Sequence, residues 1–212
     1  MTTTIAMPAP ARIIDTVVCD LGNVLLFFDN TVFFRRMTRF TSRSLEEIRQ
    51  VTHDNLDLLT LFERGRIPPL DFFKNARDLL DSRASYEEFF AAYNDVFSPN
   101  PPAIDLLRRL KPGRKMVLLS NTDVCRWTFI KGRFPEVLFF DAFALSFDVG
   151  VMKPDPEIYR EALGGVKARP ENAVFIDDLA ENVEGAKRLG MRGIHFTPRT
   201  DLAAELAELG IV

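Results

Sequence analysis

Short apolar, β-branched runs recur along the chain, and most of them end at a polar residue. The first run, 13–19 (IIDTVVC), shows little alternation between apolar and polar positions, which is typical of a strand buried on both faces of a parallel sheet. Further runs of this kind, with helical stretches between most of them, occur at 115–120, 141–146, 173–178 and 193–196. This order predicts an α/β fold with a doubly wound, Rossmann-like parallel sheet.

A long segment between the first two predicted strands has helix signals and no convincing strand pattern. At roughly 85 residues it is too long for an ordinary loop. Ser44 with Glu47, and Ser85 with Glu88, have the spacing of helix capping boxes. We therefore predict two units: an α/β core formed by residues 1–29 and 98–212, and a helical cap subdomain formed by residues 30–97.

Two local features refine this division. The run 98–103 (SPNPPA) combines turn formers with rigid prolines and is expected to be a hinge that returns the chain to the sheet. Phenylalanine pairs begin at Phe33, Phe72 and Phe89. Their helical spacing favours a role in the core of the cap, and a role as walls of a substrate pocket is the alternative.

Composition narrows the functional classes. Apolar residues make up 47% of the chain and the formal net charge is −3, which argues against disorder and against a nucleic-acid binder. The two cysteines, Cys19 and Cys125, lie far apart and suit a reducing compartment. We see neither an export signal in residues 1–12 nor an apolar run of membrane-spanning length. We expect a cytoplasmic protein with a small-molecule partner; the sequence does not indicate an oligomeric state.

Polar residues at the strand ends are the first candidates for chemistry, because ligands of open parallel sheets bind beyond the carboxyl ends of the strands. They are Asp20, Ser120, Asp177 and Asp178. A single aspartate there would more often cap a helix. Together with Lys153 in a turn, however, these side chains provide what is needed to bind a phosphate dianion with a hard cation.

Four segments resemble the four ordered motifs of the haloacid dehalogenase superfamily: 20–25 (DLGNVL), 118–123 (LLSNTD), 153–159 (KPDPEIY) and 175–190 (FIDDLAENVEGAKRLG). They span nearly the whole predicted core. Within the superfamily, the chain looks like the branch that contains sugar-1-phosphate phosphatases and the phosphatase domain of soluble epoxide hydrolase. The resemblance implies strand order 5-4-1-2-3, which would bring the first, second and fourth strand ends together.

The resemblance also implies roles for individual residues. Asp20 resembles the nucleophile that becomes an aspartyl-phosphate. Ser120 resembles the hydroxyl that hydrogen-bonds the phosphoryl oxygens, and Asn121 would bind substrate beside it. Lys153 resembles the lysine that screens Asp20 from the incoming dianion and stabilises the transferring group.

A magnesium site follows from the same resemblance. Asp178 aligns with the metal-binding carboxylate, and Asp20 and the backbone carbonyl of Gly22 would complete the protein ligands. Asp177 would be an outer acid that orients Lys153 or a metal-bound water. Hard oxygen ligands, in a chain with only two histidines, favour Mg²⁺ over zinc. We expect helix-capping, surface or core roles for Asp29, His53, Asp123 and His195.

One position departs from the family pattern. Most phosphatases of this superfamily have an aspartate two residues after the nucleophile that serves as general acid and then as general base, and here that residue is Gly22. The resemblance then leaves three possibilities: a phosphatase for good leaving groups such as sugar 1-phosphates, a 2-haloacid dehalogenase, or a non-catalytic phosphate-binding protein. A dehalogenase needs no metal, so the Asp177–Asp178 pair argues against it. We form the hypothesis that Gly22 restricts the substrates to esters with good leaving groups.

Overall fold

The apolar runs form the strands of the molecule. The computed structural model describes residues 13–212, so the segment in which no export signal was expected, 1–12, lies outside the described residues. The described strands are β1 (Thr16–Cys19), β2 (Leu26–Phe28), β3 (Phe97–Pro99), β4 (Lys115–Ser120), β5 (Ala142–Leu145), β6 (Ala173–Asp177) and β7 (Arg192–His195). Each of the five predicted strand runs therefore overlaps a strand of the structure.

Five of these strands form a parallel sheet in the order β5-β4-β1-β6-β7. This numbering differs from the expected 5-4-1-2-3 because β2 and β3 lie outside the sheet but are counted along the chain. When only the five sheet strands are counted, the order read from β7 is 5-4-1-2-3. The α/β, Rossmann-like class is confirmed, and β1 lies at the centre of the sheet between β4 and β6.

The described helices are α1 (Asn30–Met37), α2 (Leu45–Asp54), α3 (Leu56–Glu63), α4 (Pro69–Leu79), α5 (Tyr86–Asn94), α6 (Pro101–Leu110), α7 (Val124–Arg133), α8 (Ser146–Val149), α9 (Pro156–Gly165), α10 (Ala180–Arg188) and α11 (Leu202–Glu208). Helices from the part of the chain after the insertion cover both faces of the sheet. Alternate strand residues pack on opposite sides: Val17 with the side chains of α6, α7 and α11, and Val18 with those of α9 and α10. The sheet is doubly wound, as predicted.

The helical insertion, residues 30–97, has an apolar cluster of its own. Helices α1–α5 enclose Phe33, Phe62, Phe72, Phe89 and neighbouring side chains, separately from the two clusters that flank the sheet. Ser44 and Ser85 form the predicted capping boxes at the starts of α2 and α5. Most phenylalanines of the predicted pairs are thus core residues of this bundle. Within residues 13–212, no helix combines the length and apolar character needed to cross a membrane.

The connection between the insertion and the core differs from the expected turn. β2 and β3 pair antiparallel, with Leu26 opposite Pro99 and Phe28 opposite Phe97, and α6 already begins at Pro101. Strands of three residues are too short to show a period of two, so the sequence pattern could not reveal them. Proline has no backbone N–H to donate, but Pro99 is tolerated because both strands of a two-stranded ladder are edge strands. The insertion is therefore joined to the core through a short ribbon.

Candidate active site

Parallel pairing brings the predicted nucleophile to the centre of the carboxyl edge of the sheet. Asp20 directly follows β1, while Ser120 and Asp177 end the neighbouring strands β4 and β6. The backbone N–H of Leu21 donates to Oδ1 of Asp20 at 2.7 Å, which fixes the orientation of the carboxylate. Three of the sequence-predicted residues thus converge because adjacent strands end together.

Lys153 reaches this edge from the turn before α9. Its Nζ lies 2.7 Å from Oδ1 of Asp20 and donates to Oδ2 of Asp177, also at 2.7 Å. It also donates to the carbonyl of Leu119 at 3.2 Å. All three charged side chains are buried. A single ammonium therefore bridges two carboxylates away from bulk water.

Burial and charge oppose one another in this cluster. Burial raises the pKa of Asp20 to about 7, although the positive charge of Lys153 acts in the opposite direction. Burial alone would lower the pKa of Lys153, but the charges of Asp20 and Asp177 outweigh it and the net shift is upward. Lys153 is consequently held as a cation beside a carboxylate whose ionised form is costly without a positive partner.

Asp177 is held by several donors. Its Oδ1 accepts hydrogen bonds from the backbone N–H of Leu179 at 2.8 Å and from Nδ2 of Asn182 at 3.0 Å. Its Oδ2 accepts from Lys153. Both oxygens are therefore occupied, which suits the predicted role of orienting the lysine. The sequence analysis gave Asn182 no role at the site, so this contact was not predicted.

A group of three carboxylates could hold a divalent cation. Asp20, Asp177 and Asp178 each offer an oxygen, and these atoms lie within 4.8 Å of one another. Because all the donors are hard oxygens, the set fits Mg²⁺. Asn23, which the sequence analysis did not single out, donates from Nδ2 to Oδ2 of Asp178 at 2.8 Å. Metal ligation by the carbonyl of Gly22, in the same turn, stays a prediction.

Asn121 contacts protein backbone at both ends of its side chain. Its Oδ1 accepts from the backbone N–H of Lys153 at 2.8 Å, and its Nδ2 donates to the carbonyl of Lys153 at 3.2 Å. Asn121 thus fixes the turn that carries the lysine. Contact with substrate, the role predicted for Asn121, stays a prediction, as does a phosphate contact for the buried Ser120.

The space beside Gly22 is occupied by an aromatic ring. A Cβ atom at this position would lie 3.2 Å from Cε1 of Phe28. Phe28 belongs to β2, at the base of the helical insertion. A side chain at position 22 would therefore require the exposed Phe28 ring to shift by a few tenths of an ångström.

The C-terminal end of α3 docks against the same edge of the sheet. Oγ of Ser146 lies 2.6 Å from the carbonyl oxygen of Glu63 and accepts from the backbone N–H of Thr122 at 2.9 Å. Arg66 donates to the carbonyl of Gly150 at 3.1 Å. These contacts join the insertion to the loops that follow β4 and β5, a long-range relationship without a local sequence signal.

A buried polar group lies next to this contact. Asp123 caps α7, as expected, but its Oδ2 also accepts from the hydroxyl of Tyr93 at 2.8 Å. The guanidinium of Arg126 stacks 4.2 Å from the centre of the Tyr93 ring and donates to Oδ1 of Asn30 at 3.1 Å. Helices of the insertion and of the core are therefore linked through charged and aromatic side chains close to the candidate site.

Comparisons with known proteins agree with this geometry. The family model for haloacid dehalogenase-like hydrolases matches residues 14–190. A sesquiterpene phosphatase from Aspergillus oryzae is 27% identical over 90% of this chain and 93% of its own length. A phosphatase from Mycobacterium tuberculosis is 29% identical over 94% and 96%, and a D-ribitol-5-phosphate phosphatase from Bacteroides thetaiotaomicron is 25% identical over 91% and 97%.

Solved structures support the same assignment. A haloacid dehalogenase family enzyme from Bacteroides thetaiotaomicron is similar with a TM-score of 0.82 at 26% identity, over 92% of this chain and 98% of that chain. A complex of that enzyme with magnesium and inorganic phosphate is similar with a TM-score of 0.78 at 25% identity, over 91% and 98%. The chain, with its ordered motifs gathered at the carboxyl edge of a doubly wound sheet, belongs to the haloacid dehalogenase-like hydrolases.

Proposed function

We propose that this hydrolase is a magnesium-dependent phosphatase of small phosphomonoesters, sugar 1-phosphates among them, and that it acts through an aspartyl-phosphate on Asp20. The observation that carries the proposal is the buried contact between Lys153 and both Asp20 and Asp177, beside the carboxylate of Asp178. An ammonium and a cation site around one nucleophilic carboxylate suit a substrate with two negative charges. The phosphatases among its relatives support this reaction class.

Different residues have different roles in the proposed phosphoryl transfer. An oxygen of Asp20 attacks phosphorus, the bond to the alcohol oxygen breaks, and water then releases phosphate from the carboxylate. Lys153 lowers the repulsion between Asp20 and the substrate dianion and stabilises charge on the phosphoryl oxygens. Ser120 donates to one of those oxygens, and Asn121 holds the Lys153 turn and offers its remaining amide hydrogen to the substrate.

Asp20, Asp178 and the carbonyl of Gly22 would hold Mg²⁺. Bound there, the ion would neutralise phosphoryl charge and align the ester with Asp20. Asp177, whose oxygens are both engaged by protein donors, keeps Lys153 in place. The cytoplasm, where magnesium is abundant and the separate free cysteines Cys19 and Cys125 stay reduced, is the proposed compartment.

We assign substrate selection to the helical insertion, residues 30–97, as a cap over a core made of residues 1–29 and 98–212. Its separate apolar cluster and its ribbon connection support a unit that moves relative to the sheet. The proposal of sugar 1-phosphates rests on the branch resemblance.

Magnesium-dependent hydrolysis of a panel of phosphomonoesters tests the proposal. Wild-type protein should release phosphate, and Asp20→Asn should lose this activity while keeping the wild-type fold, as circular dichroism can show. Substantial phosphate release by Asp20→Asn would sink the assignment of the nucleophile. Equal rates on a sugar 1-phosphate and its 6-phosphate isomer would remove Gly22 as a substrate filter. Dehalogenation of 2-chloropropionate in the presence of EDTA would show a haloacid dehalogenase instead.

A further inference from the structure

Glu63 is a titratable side chain next to the candidate site for which the proposed mechanism has no role. It is the last residue of α3, and the described contacts of residues 13–212 give its carboxylate no hydrogen bond or salt bridge. Partly buried carboxylates usually have such partners, because the ionised form is otherwise costly. The Glu63 oxygens are not among the fully buried, unpaired polar atoms of residues 13–212, so the carboxylate is free of protein partners and accessible from outside.

Backbone contacts fix the position of this residue. The carbonyl of Glu63 lies 2.6 Å from Oγ of Ser146, which also accepts from Thr122 N at 2.9 Å. Thr122 is two residues beyond Ser120, in the loop that follows β4. At Gly65 an added Cβ would be 2.3 Å from the carbonyl oxygen of Phe147, so the two backbones are in direct contact. The end of α3 is therefore held over the strand ends.

The charges of groups on several elements act on Glu63. They are Tyr93 on α5, Asp123 and Arg126 at the start of α7, and Lys153 before α9. Burial raises the pKa of Glu63 to about 7, and the positive charges of Arg126 and Lys153 only partly oppose this. Near neutral pH both the acid and the carboxylate are therefore present, as a group that donates and then accepts a proton requires.

We propose that Glu63 is the general acid and base of this enzyme and replaces the aspartate that is absent at Gly22. The inference rests on the proposed phosphatase function. The phosphoryl group faces Asp20 at the sheet edge, so the alcohol half of the ester extends toward the insertion, where Glu63 lies. With Glu63 in this role, Gly22 does not confine the enzyme to good leaving groups.

The proton transfers balance across the two half-reactions. As Asp20 attacks and the bond from phosphorus to the alcohol oxygen breaks, the leaving oxygen takes the proton of Glu63 and departs as the alcohol. The Glu63 carboxylate then takes a proton from water as that water attacks phosphorus. The bond between phosphorus and Asp20 breaks, inorganic phosphate leaves, and Glu63 is again protonated.

A leaving-group series with the full-length, magnesium-loaded protein tests this role through kcat/KM. The substrates are p-nitrophenyl, phenyl and benzyl phosphate, whose alcohols are similar in shape and become progressively less acidic. Glu63→Gln should lower kcat/KM on benzyl phosphate about 100- to 10,000-fold and leave p-nitrophenyl phosphate nearly unchanged. Glu63→Asp should recover part of the loss, and the exposed Glu161→Gln should match wild type on all three esters.

The pH profile gives a second readout. For wild type, kcat/KM on benzyl phosphate should fall above about pH 7 as Glu63 loses its proton, and this decline should be absent with p-nitrophenyl phosphate. Two results would overturn the role of Glu63 and leave the proposed phosphatase function standing. One is an equal loss of kcat/KM on all three esters in Glu63→Gln, and the other is no wild-type turnover of benzyl phosphate. Absence of magnesium-dependent turnover of every ester by wild type overturns the phosphatase function and this inference with it.

Discussion

Nζ of Lys153 lies 2.7 Å from Oδ1 of Asp20, with both side chains buried at the carboxyl edge of the sheet. The same ammonium contacts Asp177 at 2.7 Å. Because both carboxylates are buried, loss of the lysine would leave their charges poorly compensated. The contact therefore serves the stability of the fold as well as the proposed chemistry.

Lys153→Met should abolish phosphate release and destabilise the protein by about 3–5 kcal/mol, since it leaves two buried carboxylates without their cation. Urea unfolding monitored by circular dichroism measures the second effect. Asp20→Asn combined with Lys153→Met should be more stable than Lys153→Met alone, because one uncompensated charge is removed. If Lys153→Met and the double variant were equally stable, a direct energetic coupling between Lys153 and Asp20 would be contradicted.

The fold could be predicted from the sequence because its signals are local. The run from Lys115 to Ser120 matches β4 residue for residue, since a strand buried on both faces is continuously apolar. Ser44 and Ser85 revealed two helix starts through capping-box spacing alone. The ribbon of β2 and β3 was missed because three residues per strand carry no periodicity.

The candidate site could be predicted only in part, because its residues come together from distant parts of the chain. Asp20, Ser120 and Asp177 were found because parallel strands bring their ends together. Asn23 occupies a left-handed backbone position (φ 52°) next to Asp178, and the motif around Asp20 was a signal that could have identified it. Glu63 could not be found, because its neighbourhood arises from the packing of two distant parts of the chain.

Asp178→Asn should weaken Mg²⁺ binding by at least about 10-fold, because an amide oxygen carries no net charge toward the cation. Asn23→Ala should have a smaller effect in the same direction, since it removes the 2.8 Å hydrogen bond that orients Asp178. Isothermal titration calorimetry with MgCl₂ measures both without turnover. The exposed Asp105→Asn serves as the matched control, and unchanged affinity in Asp178→Asn would exclude Asp178 as a ligand.

Gly65→Ala should disturb the docking of α3 on the core. The added Cβ would lie 2.3 Å from the carbonyl oxygen of Phe147, and Gly65 has a φ of 64°, which side chains disfavour. A displaced α3 misplaces the insertion, so we expect kcat/KM for p-nitrophenyl phosphate to fall by up to about 100-fold. At Gly113 nothing lies within 4 Å of an added Cβ, so Gly113→Ala is the control. Equal activity of the two variants would contradict a functional docking contact.

Glu63 should also make stability depend on pH. Burial raises its pKa in the folded protein from an ordinary value of 4.5 to about 7. The folded state therefore holds this proton more tightly than the unfolded state, and the stability contributed by the protonated form is lost as pH rises from 4.5 through about 7. Glutamine carries no charge at any pH, so the stability of Glu63→Gln should not fall with pH for this reason.

Differential scanning calorimetry at about pH 5 and about pH 8.5 measures this effect. At the lower pH Glu63 is mostly neutral in the folded protein, and Glu63→Gln should melt close to wild type. At the higher pH wild type must bury an ionised carboxylate, so Glu63→Gln should melt at a higher temperature than wild type. Glu161→Gln, which removes a charge from the exposed face of α9, controls for the change in net charge. A melting difference between Glu63→Gln and wild type that is the same at both pH values would show that Glu63 is solvated, and it could not then hold a proton near neutral pH.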